Sequence, residues 1–205
     1  MKGAGKPRIR LGVTGGIGSG KSSVCRVFNV LGIPVFYSDS EAKAIMNNDL
    51  SVRSKINAIA GKDLFLNGNL DREELAKIIF NDEELLRRVN ALIHPLVFQN
   101  FIQWTDMQTA PYVIMEAAIL FESGASELVD KVLTVVAPLD QRIERTVKGN
   151  QLTREQVMDR IRNQMDDDIR VKNSDYIIYN SENDMIIPSV LRIHGDLLRQ
   201  TGIND

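Results

Sequence analysis

One cysteine, two histidines and one tryptophan are all that the 205-residue chain holds of those types. Cys25 has no partner for an internal disulfide, so the chain suits a reducing cytoplasm, the expected setting, or is indifferent to redox state. Two histidines and one cysteine, far apart in sequence, also argue against a zinc cluster. Charge of one sign is scarce as well: 25 Lys+Arg against 27 Asp+Glu leave a formal charge of −2. That balance excludes broad electrostatic binding to duplex nucleic acid but leaves room for a local basic cleft that holds a small anion. No apolar run approaches the roughly 18 residues of a membrane span. The basic segment from Met1 to Arg8 is followed by no long apolar stretch, so neither a membrane segment nor a signal peptide is expected. Internal repeats and low-complexity segments are missing too. What remains is an ordinary globular composition, 43% hydrophobic and 25% charged, long enough for one main domain over residues 1–205 with an elaboration.

Apolar runs alternate with helical stretches, which predicts an α/β protein with a mostly parallel, five-stranded sheet. Arg8–Thr14 is the first buried strand. A glycine cluster follows, then a helix from about Lys21 to Leu31 that Gly32 terminates. Ile33–Tyr37 is a second short strand that Pro34 confines to an edge or an early position. Residues 38–108 read as mostly helical, with a break over 61–69. Leu75, Ile78, Ile79, Leu85, Leu86, Val89, Leu92 and Ile93 recur at helical spacing as core candidates. Pro95 is expected to kink or end its helix, and this insertion is the expected second subdomain. Tyr112–Ala118 and Lys131–Ala137 are the third and fourth strands. Pro138 opens a helix to about Lys148, with a polar break at Gly149-Asn150-Gln151. Thr153 with Gln156 predicts a capping box for a helix to about Gln164. Tyr176–Tyr179 is the fifth strand and Asp184–Gln200 the closing helix, with Pro188 in its first turn.

The segment Gly15-Gly16-Ile17-Gly18-Ser19-Gly20-Lys21-Ser22 satisfies G-x-x-x-x-G-K-[ST] in full, between a strand and a helix as the motif requires. Polyphosphate is a dense anion, and a loop surrounds it only when successive backbone N–H groups turn inward. The following helix adds the positive end of its dipole. The expected nucleotide contacts are Gly16, Ile17, Gly18, Ser19, Gly20, Lys21, Ser22 and Ser23, with Lys21 reaching the β- and γ-phosphates and the Ser22 hydroxyl on Mg²⁺. Such a loop serves switch GTPases, motors and small-molecule kinases alike. No Asn-Lys pair occurs, which speaks against the guanine-reading N-K-x-D of switch GTPases. Asp39 lies just past the second strand, at the sheet end where an acceptor hydroxyl would sit, and is a candidate base. From position alone it could equally cap the next helix. Glu116, at the end of the third strand, could hold the metal through water, or simply be a polar strand end.

Taken together, the motifs resemble dephospho-coenzyme A kinase from about Leu11 to Asn180. Besides the loop, Ser38-Asp39 with Ala42 resembles the family's D-A-D-x-x-A segment, and Gly68-Asn69-Leu70-Asp71-Arg72 with Leu75 and Phe80 its G-x-L-D-R-x-x-L stretch. Leu92-Ile93-His94-Pro95 is similar to L-x-H-P, and Leu120-Phe121-Glu122 to the end of P-L-L-F-E. Arg160 with Gln164 is similar to R-x-x-x-Q, and Asp175-Tyr176-Ile177-Ile178 with Asn180 to D-x-V-I-x-N. The resemblance implies ATP-dependent phosphorylation of the ribose 3′-hydroxyl of dephospho-CoA, the last step of coenzyme A synthesis. It implies a fold like that of the nucleoside monophosphate kinases: a P-loop core, a helical substrate insertion over about residues 39–109 and a helical lid over about 142–172. Asp39 would be the base. Arg145 would stabilise the transferring phosphoryl group, with Arg142 one turn earlier, although both could also belong to a solvated basic face. Arg72 and His94 would contact the coenzyme portion. Small-molecule substrates are the only partners it implies. A nucleoside or nucleotide kinase using the same loop and base is the alternative.

Several positions depart from the family pattern. Tyr37 stands at the first aspartate of D-A-D, Lys43 at an arginine, Ala118 at the proline of P-L-L-F-E, Gly149 at a lid arginine and Arg170 at a lysine. The run Asp166-Asp167-Asp168 reads as a solvated helix boundary.

Overall fold

The computed structural model describes residues 8–66, 68–80, 82–150 and 153–202, so Gln151 and residues 1–7 lie outside the description. So do the side chains of Phe80 and Asn150. The chain separates into two compact units, one made of Met1–Tyr37 with Met107–Asp205 and the other of Ser38–Asp106.

The first unit is built on a parallel sheet. Its strands are β1 (Ile9–Thr14), β2 (Val35–Tyr37), β5 (Tyr112–Glu116), β6 (Lys131–Val136) and β7 (Tyr176–Tyr179). They lie in the order β2-β5-β1-β6-β7, all parallel. β1 therefore runs in the centre and β2 at an edge, where Pro34 just before it removes no ladder donor. Successive strand residues face opposite ways. Leu11 and Val13, with Ile114, Leu133, Val135 and Ile178, meet Val24, Cys25 and Phe28 of α1 (Lys21–Val30) and Val190, Ile193 and Leu197 of α9 (Ile186–Thr201). Central strands buried on both faces read as near-continuous apolar runs, which is why β1, β5 and β6 were visible in sequence.

After β6 come α6 (Leu139–Asn150), α7 (Arg154–Arg162) and α8 (Asp167–Lys172). Thr153 caps α7 with the expected box: its side chain accepts from Gln156 N, and Gln156 Oε1 accepts from Thr153 N. The break expected at Gly149-Asn150 does not occur there, because α6 continues through both residues. One glycine costs a helix only about 1 kcal/mol, less than a whole terminal turn contributes.

The second unit is helical around one small hairpin. Its elements are α2 (Ser38–Asn48), α3 (Leu50–Ala60), the antiparallel pair β3 (Phe65–Leu66) and β4 (Asn69–Leu70), α4 (Arg72–Phe80) and α5 (Glu83–Asp106). α5 is the spine, against which α2, α3 and α4 all pack. Val89, Ile93, Val97 and Phe101 form its buried stripe. Leu75 is buried as expected, Ile78, Ile79, Leu85 and Leu92 are half-buried, and Leu86 faces solvent at 39% exposure. Pro95 neither ends nor divides α5. Its ring is on the exposed side, and the apolar stripe continues on the opposite face, so packing outweighs the one missing backbone donor. Among the described residues no helix is long and apolar enough to cross a membrane.

Candidate phosphate-binding site

At the carboxyl end of β1 the chain turns through Gly15-Gly16-Ile17-Gly18-Ser19-Gly20 before entering α1. Gly18 is in the left-handed region at φ +75°, and a Cβ there would collide with the backbone carbonyl of Arg142. Only glycine fits both constraints.

The loop is held through several of its carbonyls. Lys21 Nζ folds back to donate to Gly15 O at 2.9 Å and Gly16 O at 3.3 Å. Gly16 O also accepts from Ser19 N at 3.1 Å. Arg142 Nε donates to Ile17 O at 3.0 Å, and Asn180 Nδ2 to Ser19 O at 2.8 Å. One amide is used as well: Ile17 N donates to Gln164 Oε1 at 2.8 Å. By contrast, the N–H groups of Gly18, Gly20 and Ser22 donate to no acceptor among the described residues. Unpaired amides at the start of a helix, beside an ammonium group, form a site built for an anion.

One carboxylate borders this end of the sheet. Glu116 closes β5 in register with Val13 and is 7% exposed. Cys25 lies under the loop; burial, with the Glu116 carboxylate adding to it, pushes its thiol well above the ordinary value, while Lys21 pulls the other way. It is a neutral packing group. Ser22 and Ser23 are exposed on the first turn of α1, and Ser19 is buried. A Ser22 hydroxyl and a Glu116 carboxylate are hard oxygen donors of the kind Mg²⁺ takes, few enough to leave places for water and phosphate.

Arg142 and Arg145 of α6 are both engaged. Arg145 Nη1 donates to Asn180 O at 2.9 Å and its Nη2 to Gln141 Oε1 at 3.0 Å. Arg142, an expected nucleotide contact, is 5% exposed and turned onto the loop's own backbone. The cause is Asp167, whose Oδ2 takes Arg142 Nη1 at 2.6 Å while its Oδ1 takes Arg170 Nη1 at 2.5 Å. Arg170 is wholly buried, with Nη2 3.6 Å from Glu122 Oε1, and that carboxylate accepts from Met165 N at 2.8 Å. The expected solvated boundary is therefore corrected: Asp166 does cap α8, but Asp167 bridges two buried guanidinium groups. Gln164 and Asn180 belong to motifs quoted above, yet their grip on the loop was not foreseen.

In the helical unit, Asp39 is exposed in the first turn of α2 and not at its N-cap, so capping does not account for it. Arg72 is exposed at the start of α4. His94 is half-buried on α5, stacked on Phe98 at a 6.1 Å ring separation, and burial lowers its pKa.

Sequence and structure comparisons agree with this geometry. The family model of dephospho-CoA kinase matches residues 9–185. The chain belongs to the dephospho-CoA kinase family. A dephospho-CoA kinase from Bacteroides fragilis is 38% identical over 186 residues, covering 90% of this chain and 91% of the relative. A solved protein from Thermus thermophilus superposes with TM-score 0.81 at 31% identity, over 95% of this chain and 98% of that one. Dephospho-CoA kinase from Campylobacter jejuni gives TM-score 0.68 at 25% identity, over 93% and 98%. The chain is thus a P-loop kinase of a family that works in coenzyme A synthesis, with the α/β fold to match.

Proposed function

We propose that the protein transfers the γ-phosphoryl group of ATP to the ribose 3′-hydroxyl of dephospho-CoA, giving coenzyme A and ADP. The observation that carries the phosphate half of this reading is the set of unpaired amides at Gly18, Gly20 and Ser22 with Lys21 beside them. Family membership carries the acceptor half.

The acceptor oxygen bonds to the γ-phosphorus as the bond from that phosphorus to the β,γ-bridging oxygen breaks, and ADP leaves. Positioning and charge neutralisation supply most of the acceleration in such transfers. The loop amides hold the phosphates. Lys21 exchanges its carbonyl acceptors for phosphate oxygens, and Arg145 offsets charge on the transferring group. Asp39 takes the proton of the 3′-hydroxyl. This assignment is supported by its place two residues beyond Tyr37, which pairs with Glu116 in the sheet. Mg²⁺, held by Ser22 and through water by Glu116, would neutralise charge on the β- and γ-oxygens. Residues 142–172 act as the lid, and the helical segment near 39–109, with Arg72 and His94, binds the coenzyme portion. The buried single cysteine suits a cytoplasmic setting.

Incubation with ATP, Mg²⁺ and a panel of acceptors, followed by weighing the products, tests this. A mass gain of one phosphate on dephospho-CoA is the expected result. Phosphate on a nucleoside or nucleotide, with none on dephospho-CoA, would refute it.

A further inference from the structure

The trans peptide is planar, so the carbonyl of one residue and the N–H of the next point in opposite directions. Any group that fixes a loop carbonyl outward therefore fixes the following amide inward. Arg142 Nε holds Ile17 O at 3.0 Å, which turns the Gly18 N–H the other way. Asn180 Nδ2 holds Ser19 O at 2.8 Å, which does the same for the Gly20 N–H. Both amides lack an acceptor among the described residues. The preceding Gly16 peptide is the control: its carbonyl is taken by Lys21 and Ser19 N, and its partner amide, Ile17 N–H, is sent outward to Gln164.

We propose that Arg142 and Asn180 are positioning residues that aim the Gly18 and Gly20 amides at the nucleotide's phosphates, and that neither side chain binds phosphate itself. The proposal rests on the reading of the loop as an ATP site. Arg142 is suited to the task because it is not free: a buried charge held on one side by Asp167 and on the other by Ile17 O has a single place to be. Asp167 in turn is fixed by Arg170, so the short helix α8 is tied to the aim of a loop amide.

The test is kinetic and spectroscopic. An amide that contacts phosphate equally in ground and transition states affects KM more than kcat. Arg142→Met should raise KM for ATP about 10-fold, as for one lost hydrogen bond to a charged group, with kcat changed less than about threefold. Arg142→Lys should restore part of it. In amide-resolved NMR, adding MgADP to the wild type should shift both Gly18 and Gly20. Arg142→Met should lose the Gly18 shift and keep that of Gly20. Asn180→Leu should do the reverse, and it serves alone should the Arg142 variant fail to fold. A fall in kcat of about 10³-fold at unchanged KM would instead mark Arg142 as a direct phosphoryl ligand and overturn the proposal. So would an unaltered Gly18 shift in Arg142→Met. A wild type whose loop amides ignore MgADP would overturn the nucleotide reading, and the proposal with it.

Discussion

Gly16→Ala isolates how tightly Arg142 of α6 grips the loop. Gly16 does not have a left-handed φ, so alanine is acceptable to its backbone. The new methyl would instead overlap the Arg142 guanidinium, whose Nη1, Cζ and Nη2 all lie against it. That group has no slack, being held by Ile17 O at 3.0 Å and Asp167 at 2.6 Å. Expelling one partner of a buried ion pair costs about 3–5 kcal/mol. Asp167 is 27% exposed and keeps Arg170, so the cost falls to the bottom of that range or just under it, about 2–3 kcal/mol. For a chain of this size that is a fall in Tm of about 5–10 °C. Urea unfolding of four proteins measures it: wild type, Gly16→Ala, Arg142→Ala and the double variant. The three nearest atoms to the new methyl all belong to that guanidinium, so adding Gly16→Ala to Arg142→Ala should cost less than about 1 kcal/mol. Equal losses in the two backgrounds would show that the strain belongs to the loop alone and would refute the reasoning.

Asp39→Asn should leave ATP affinity within about threefold while turnover falls by about 10²–10⁴-fold, as loss of a general base requires; near-normal turnover in a steady-state assay would remove Asp39 from that role. Gly149→Ala should stabilise the protein by about 0.5–1 kcal/mol, read by urea unfolding, because Gly149 is inside α6 and a Cβ there meets nothing within 4 Å. Asp175 is the subject of a pH prediction. Burial would raise its pKa, but the hydrogen bonds from Lys131 and Val132 N outweigh this and hold it below the usual value, while Lys131 is raised by the same contact. A depressed carboxylate contributes stability above its unfolded pKa of about 3.9 and loses it as pH falls through the folded value. The raised lysine contributes fully below about 10.4 and loses it above. Asp175→Asn should therefore cost up to about 1 kcal/mol near neutrality, since the pair is partly exposed, and progressively less below about pH 4. A gap between variant and wild type that is unchanged at about pH 3 would contradict the assignment.

Features carried by local sequence were legible. The G-x-x-x-x-G-K-S loop, the capping box at Thr153 and the apolar runs of β1, β5, β6 and β7 each depend on neighbouring residues alone, and each formed where expected. What failed depended on partners distant in sequence. The propensity of Pro95 to end a helix lost to the buried stripe on the far side of α5. Leu86 has the right helical spacing but sits at the rim of that stripe. The hairpin Phe65–Leu66 with Asn69–Leu70 has two residues per strand, too few for any alternation to show. α8 is six residues long, and its acidic start looked like a solvated run because nothing local announces that Arg142, 25 positions earlier, will claim Asp167. At the site, the motif gave the loop and its lysine. It did not give the direction of each peptide plane, which Arg142, Gln164 and Asn180 fix from separate elements.

The most direct test of the account is turnover with MgATP on dephospho-CoA and on its 3′-deoxy analogue, with product read by ³¹P NMR. The account predicts a new 3′-phosphomonoester from the first and nothing beyond background hydrolysis from the second. Equal phosphorylation of both would place the transferred group elsewhere on the molecule and contradict it.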